Sequence, residues 1–255
     1  MDFLSIKDLG QTFGGLAAVS DFSLEMPEGT VFGLIGPNGS GKTTVFNCIT
    51  RIYTPQRGRI SFRGKNLLRL APHQIIRAGI GRTFQNLELF REMSPMENLL
   101  VGQHIKYRAP LLSCALGLPG LKKKDREAQM RGRQVMELLG LQEYLGKPVA
   151  SMPLGIKRKL EIARALVASP ALLLLDEPAS GMNERETKDL QESLLAVRAQ
   201  FGASILLVEH DMSLVMSLCD RIAVMNFGRK IAEGTPAEVK IHPEVVEAYL
   251  GKGDA

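Results

Sequence analysis

Three stretches of the chain are apolar without interruption: "VFGLI" (Val31–Ile35), "LLLL" (residues 172–175) and "SILLV" (Ser204–Val208). A strand covered on one face alternates apolar and polar residues; a strand covered on both loses the alternation, so these read as central strands of a buried sheet. Between the last two, Leu190, Leu194 and Val197 recur at helical spacing. The segment "RIAVMNFGRKIAEG" (residues 221–234) reads as two strands joined by a turn at Phe227-Gly228. Thr235-Pro236-Ala237-Glu238 follows, a capping box with proline at the first helical position and hence a helix start. Strands alternating with helices predict an α/β fold with a mostly parallel sheet.

The middle of the chain has a different pattern. From about residue 85 to 168 it is helix-rich and carries a Pro/Gly-broken insertion at residues 110–120. A helix is then expected to be capped by Asp125, to bury Met136 and Leu139, and to end at Gly140. The expected organisation is one domain over residues 1–255, with a core of about 1–84 and 169–255 and an inserted helical subdomain of about 85–168.

Bulk properties narrow the class. With 45% hydrophobic residues the chain can bury a sizeable core, and its 23% charged residues are interspersed, which excludes a disordered chain. No apolar run reaches the roughly 20 residues that span a bilayer, and the N-terminus has no signal-peptide pattern. Cys48, Cys114 and Cys219 stand far apart and outside any metal-ligand spacing, as expected of ordinary thiols in a reducing compartment. Charge is uneven. Between Glu28 and Glu88 there is no acid but there are nine bases: Lys42, Arg51, Arg57, Arg59, Arg63, Lys65, Arg69, Arg77 and Arg82. Such a region suits phosphates or headgroups, or is simply a solvated basic face. Aromatics do not interleave with the bases, which argues against nucleic acid.

The chemistry begins at "GPNGSGKT" (residues 36–43), directly after the strand Val31–Ile35 and opening a helix with Val45, Phe46 and Ile49. G-x-x-x-x-G-K-[ST] between a strand and a helix is a P-loop. Gly36, Pro37, Asn38, Gly39, Ser40 and Gly41 would wrap backbone N–H groups around phosphates; Lys42 would reach the β- and γ-phosphates; Thr43, followed by Thr44, would ligate Mg²⁺. A carboxylate at the end of a buried strand should complete the site, and "LLLLDEP" supplies it. Asp176 suits Mg²⁺, through water, and Glu177 suits polarising an attacking water. These parts serve kinases, helicases, GTPases and transport ATPases alike, except that the Asn-Lys-x-Asp guanine reader of GTPases is missing.

"SMPLGIKRKLEIARAL", "LLLLDEPASGMN" and "VEHD" give the chain a more specific likeness: it resembles the ATP-binding subunits of ABC transporters over nearly its whole length. The resemblance implies a P-loop, RecA-like core with an antiparallel β subdomain and an inserted helical signature subdomain. It implies that Phe13 stacks on adenine and that Gln85 touches Mg²⁺ and the attacking water. It also implies that the 180–183 loop, with Asn183 where many members carry aspartate, crosses between two ATPase subunits, and that His210 contacts the γ-phosphate. "FGGLAAV", "GRTFQNLELF", the insertion around residues 104–124 and "AYLG" resemble the branched-chain amino acid importer subgroup. Urea, amide and aromatic-acid importers, lipopolysaccharide export and soluble ABC ATPases are the alternatives. The implied cofactors are ATP and Mg²⁺. The implied partners are a second ATPase subunit, arranged head to tail as a homo- or heterodimer, membrane permease subunits and, indirectly, a periplasmic solute-binding protein. The implied place is the cytoplasmic face of the membrane, as a peripheral subunit.

In the same alignment Met152-Pro153-Leu154-Gly155-Ile156 falls on the "LSGGQ" signature, which meets ATP held by the partner subunit. Only Gly155 survives. Losing a hydroxyl donor there suggests unequal composite sites in a heterodimer. Lys157, Arg158 and Lys159 follow at once, in the first turn of a helix whose dipole disfavours cations. They are expected to form a solvated or headgroup-facing edge.

Overall fold

A computed structural model of the chain describes residues 3–103 and 119–250. The expected insertion therefore lies almost wholly outside the described residues, as does Cys114. The chain forms two compact units: Met1–Ile80, Leu174–Glu177 and Ser204–Ala255 make the first, and Gly81–Leu173 with Pro178–Ala203 make the second.

The first unit carries two sheets. In the smaller one, β1 (Leu4–Phe13), β2 (Leu16–Met26), β4 (Arg57–Phe62) and β5 (Lys65–Asn66) are ordered β2-β1-β4-β5 and pair antiparallel. In the larger one, β3 (Val31–Ile35), β7 (Leu172–Asp176), β8 (Ser204–Val208), β9 (Arg221–Asn226) and β10 (Arg229–Gly234) run in the order β10-β9-β3-β8-β7. β3 pairs parallel with both β8 and β9, and β9 turns back antiparallel into β10. All five residues of β3 and of β8 are buried, as their unbroken apolar runs require. Helix α1 (Lys42–Ile49) leaves β3 and buries Val45, Phe46 and Ile49. The one-turn helix α2 (Pro72–Ile75) lies near the end of the first unit's opening segment, which closes at Ile80, the first residue of the strand β6 (Ile80–Arg82).

The second unit is helical: α3 (Pro95–Gln103), α4 (Pro119–Leu138), α5 (Leu154–Leu166) and α6 (Glu184–Phe201). Helix α3 packs on α4 and α5. Close approach demands glycine at Gly102, where a Cβ would lie 2.5 Å from the Arg164 carbonyl. The expected start at Asp125 is corrected: α4 begins at Pro119, and proline is tolerated in a first turn because its missing N–H has no intrahelical partner there. Its end is as expected, Gly140 adopting φ 66° and Leu141 N–H bonding back to the Met136 carbonyl. Leu190, Leu194 and Val197 line the buried side of α6.

In the first unit, α7 (Met212–Leu218) follows β8; after β10 come α8 (Pro236–Lys240), with Thr235 and Glu238 in the expected capping box, and α9 (Pro243–Leu250). Several of the nine bases are engaged within this unit: Arg57 pairs with Asp21 at 3.4 Å, Arg63 with Glu28, and Arg51 donates to the Leu70 carbonyl.

Candidate functional site

Residues 36–41 form the bend between β3 and α1, and the bend is held from outside. A Cβ on Gly36 (φ 148°) would fall 2.1 Å from the Met225 carbonyl oxygen, and one on Gly41 (φ 104°) would fall 2.4 Å from that of Ala18. The Phe227–Gly228 turn adds two backbone bonds, Gly228 N–H to the Ser40 carbonyl at 3.0 Å and Ser20 N–H to the Gly228 carbonyl at 2.8 Å. The first turn of α1 has no acid and no side-chain cap, so its leading N–H groups are left for an anion.

Lys42 is 7% exposed. Its Nζ donates to the Gly36 carbonyl at 2.8 Å and the Pro37 carbonyl at 2.9 Å, with Ser40 Oγ at 3.5 Å. Burial lowers its pKa, and the carboxylates of Glu177 and Asp176 act against that. Both acids at the end of β7 are therefore electrostatically close to the P-loop lysine. Asp176 is buried; Thr43 is exposed in the first turn of α1. A carboxylate and a hydroxyl around a phosphate loop form the hard oxygen set that Mg²⁺ takes, with room for water and phosphate oxygens.

Glu177 holds a costly conformation. At φ 49° it is left-handed, and its N–H donates to the Val208 carbonyl at 2.8 Å. Such a backbone costs about 1–3 kcal/mol for a residue with a side chain and persists where surrounding contacts fix it. His210 Nδ1 stands 4.0 Å from Glu177 Oε2 and 3.8 Å from Glu209 Oε2. Glu209 is fully buried, and its Oε2 accepts the N–H groups of His210 (3.0 Å) and Asp211 (3.4 Å). Reading "VEHD" for its histidine alone missed this acid, which anchors the histidine's backbone. Phe13, at the end of β1, is 42% exposed and meets Tyr53 edge-on with ring centroids 5.0 Å apart. Tyr53 was not singled out from the sequence; an exposed ring held in place by an aromatic neighbour can offer its face to an adenine.

The first unit thus gathers the P-loop, Asp176, Glu177 and His210. Gln85, Gly155 and Asn183 belong to the second. Gln85 is exposed in the loop after β6. Asn183 caps α6: its Oδ1 accepts Glu186 N–H at 3.0 Å, and its own N–H donates to Glu186 Oε2 at 3.0 Å. The same Glu186 stands beside Gly155, where an added Cβ would lie 2.9 Å from Oε1. Pro153 is the N-cap of α5 and supplies no side-chain cap.

The expectation of a solvated cationic edge is overturned at Arg158 and Lys159, while Lys157 remains partly exposed. Arg158 and Lys159 are 8% and 5% exposed. Arg158 Nη1 donates to the Gln85 carbonyl at 2.8 Å, and Lys159 Nζ pairs with Asp189 at 2.5 Å and reaches the Leu139 carbonyl at 3.4 Å. Lys157 bonds the Ala150 carbonyl at 3.1 Å. The helix start tolerates these cations because each finds oxygen partners that a local reading of the turn does not reveal.

Residues 19–180 match the ABC transporter family, and residues 229–255 match a C-terminal family described as branched-chain amino acid ATP-binding cassette transporter. The chain is 46% identical over 249 residues to the high-affinity branched-chain amino acid transport ATP-binding protein LivG of Salmonella typhimurium, covering 98% of both chains. It is 42% identical to BraF of Pseudomonas aeruginosa, described in the same words, at the same coverage. A solved nucleotide-free ATP-binding cassette from an ABC transporter superposes with a TM-score of 0.85 at 31% identity, covering 99% of this chain and all of that one. The ADP conformation of such a cassette gives the same TM-score and identity. Likeness of this degree, running from one end to the other and centred on the loop that holds Lys42, makes the chain a member of the ABC transporter family, among its ATP-binding proteins.

Proposed function

We propose that the chain is the Mg-ATP-hydrolysing motor subunit of an importer for branched-chain or chemically related amino acids. The observation that carries the ATPase reading is the pair of carboxylates, Asp176 and Glu177, felt by a buried P-loop lysine, with Glu177 fixed in a left-handed backbone 4.0 Å from His210. The amino-acid reading rests on the full-length similarity to LivG and BraF.

In this reading Lys42 and the N–H groups of residues 36–43 hold the phosphates, and Phe13 stacks on adenine. Thr43 and Asp176 would hold Mg²⁺, which would supply charge neutralisation on the phosphate oxygens; Gln85 is given its part, touching the metal and the attacking water, by the family resemblance alone. Glu177 orients and polarises the attacking water, and His210 contacts the γ-phosphate. The expected subdomain of about residues 85–168 transmits the cycle to membrane permease subunits, and Gly155 and Asn183 face the ATP of a second ATPase subunit, head to tail. The chain then works at the cytoplasmic membrane face, held there by its partners; no described helix is long and apolar enough to cross a membrane.

Glu177→Gln keeps size and removes the negative charge. ATP affinity should stay near wild type while steady-state hydrolysis falls by about a hundredfold or more, the loss expected when a base in contact with the nucleophile is removed. Wild-type turnover in this variant would refute the assignment of Glu177.

A further inference from the structure

We propose that Arg158, Glu161 and Arg164 are positioning residues for Gln85: a row of side chains on α5, the helix that opens with the altered signature, grips residues 84–88 by their backbone. The proposal rests on the role given to Gln85 above.

The row follows i, i+3, i+6 spacing, which places successive members as neighbours along one helix. Glu161, 2% exposed, accepts the Phe84 N–H on Oε1 at 3.3 Å and also a backbone bond from Glu88. Arg158 Nη1 donates to the Gln85 carbonyl at 2.8 Å and reaches that of Phe84 at 3.5 Å, while Arg164 Nη1 donates to the Glu88 carbonyl. Arg158 and Glu161 are themselves 3.7 Å apart. Two N–H groups and three carbonyls of one short loop are thus bound by three side chains of one helix. Beyond the loop, buried Asn98 of α3 closes the same segment, accepting Phe90 N–H at 2.9 Å and donating to the Phe90 carbonyl at 3.1 Å.

An exposed loop ordinarily satisfies its backbone with water. Here the loop is exposed on its side-chain face, at Phe84, Gln85 and Asn86, and wired on its backbone face to a charged row of which Arg158 and Glu161 are buried and Arg164 half-buried. Burying a charged pair contributes little net stability, because desolvation offsets the attraction, so what the row supplies is geometry. A planar guanidinium forks across neighbouring carbonyls where an ammonium makes point contacts, which fits arginine at position 158. The consequence is that Gln85 is carried by the signature helix: when α5 shifts, the loop bearing Gln85 shifts with it.

The experiment uses the purified full-length chain with Mg-ATP and four variants: Gln85→Ala, Arg158→Ala, their double, and Lys159→Ala. The last removes a comparably buried cation of the same turn, one that bonds Asp189 and Leu139 instead of the loop. Arg158→Ala should lower kcat by about tenfold or more, as misplacement of a group at the reacting centre does, and leave the ATP KM within about twofold. The double variant should be no worse than the poorer single, Lys159→Ala should keep kcat, and amide exchange at Phe84 and Glu88 should quicken in Arg158→Ala. If Arg158→Ala does not fold, Arg158→Lys, which keeps the charge but not the fork, should show the same pattern with a smaller loss. Unchanged exchange at residues 84–88, multiplying losses in the double, or an equal kcat loss in Lys159→Ala would each overturn the clamp. Full activity in Gln85→Ala would instead overturn the role assigned to Gln85, and with it the functional purpose of the clamp, while quickened exchange would still show the grip itself.

Discussion

The glycines of the phosphate loop are required for different reasons, and their replacement by alanine should separate those reasons. At Gly39 (φ 78°) an added Cβ meets nothing within 4 Å. Its cost is the left-handed backbone alone, about 1–2 kcal/mol for a residue with a Cβ. Part of that is returned, about 0.4–1 kcal/mol, because alanine narrows the unfolded ensemble. Gly39→Ala should therefore lose about 1 kcal/mol or less. Gly36 (φ 148°) would place its Cβ 2.1 Å from the Met225 carbonyl oxygen and 2.8 Å from Ser40 Oγ. That overlap is with the backbone of β9, which cannot rotate away as a side chain does. Overpacking costs about 1–3 kcal/mol and an almost glycine-only conformation about 1–3 kcal/mol more, so Gly36→Ala should lose about 2–6 kcal/mol before the same unfolded-state return, which acts equally on both variants. At about 2–4 °C per kcal/mol for a chain of this size, the two variants should melt several degrees apart. The Gly36 carbonyl also accepts Lys42 Nζ at 2.8 Å, so its displacement should weaken ATP binding as well. Urea unfolding curves with ATP titration of each variant make the comparison. Equal losses at Gly36 and Gly39, or a larger one at Gly39, would show that contact with β9 does not shape the loop.

Three further outcomes follow from the same geometry. Replacing Pro153 by Ser and Leu154 by Gly restores a hydroxyl and a bare backbone ahead of Gly155; if that start meets a partner's phosphate, ATP-driven dimerisation or turnover with the purified partner should rise by about tenfold, one charge-assisted hydrogen bond, and an unchanged affinity and rate would sink the idea of a weakened signature. In acid the capping acids and the loop acid should act oppositely. The Ser94 and Thr235 caps hold Glu97 and Glu238 below their ordinary 4.5, so their contribution is present above pH 4.5 and lost as pH falls through the lowered values. Burial raises Glu161 above 4.5, so its contribution is greatest below 4.5 and is lost as pH rises through the raised value. Denaturation profiles of Glu238→Gln and Glu161→Gln should flatten on opposite sides of that point, and a shared side would refute the assignment. Finally, burial pushes the Cys48 thiol up to about 11 and Cys219 up to about 12. In a Cys114→Ser background both should resist a thiol reagent at pH 8 until the chain is unfolded, and rapid labelling of the folded chain would contradict their burial.

What the sequence disclosed is what short-range spacing encodes. β3 and β8 were legible because burial on both faces leaves an unbroken apolar run, and the P-loop because eight consecutive residues carry both its shape and its chemistry. The β9–β10 hairpin and the Thr235 cap were legible for the same reason. Legibility fails where a residue's meaning depends on a distant partner. Arg158 reads locally as a surface cation, yet its acceptor lies 73 residues away at Gln85. Glu161, in an otherwise ordinary amphipathic helix, answers to Phe84, 77 residues earlier. Tyr53 gains significance only through Phe13 at the far side of two strands. Asp125 looked like a cap because acids often are, but the helix had already started at Pro119.

In helix α5 such distant partners reverse what the local sequence implies. A helix N-terminus carries roughly half a positive charge, so each cation in the first turn should cost about 0.3–1 kcal/mol. Without a side-chain cap at Pro153 the first N–H groups add nothing to offset it. Yet every charge in this turn is met. Asp189 faces Lys159, Glu161 faces Arg158, the Ala150 carbonyl takes Lys157, and the Glu186 carboxylate lies beside Gly155. Glu186 also closes the Asn183 cap of α6, and Asp189, in the second turn of that helix, takes Lys159. The two helices of the second unit whose starts the family resemblance places nearest a partner's ATP are therefore tied to each other through Lys159 and Asp189, and α5 is tied through Arg158 to the loop of Gln85. A sequence that keeps only Gly155 of the signature has its remaining order in these cross-links. The cations that looked misplaced are the ones that tie the signature helix to its surroundings.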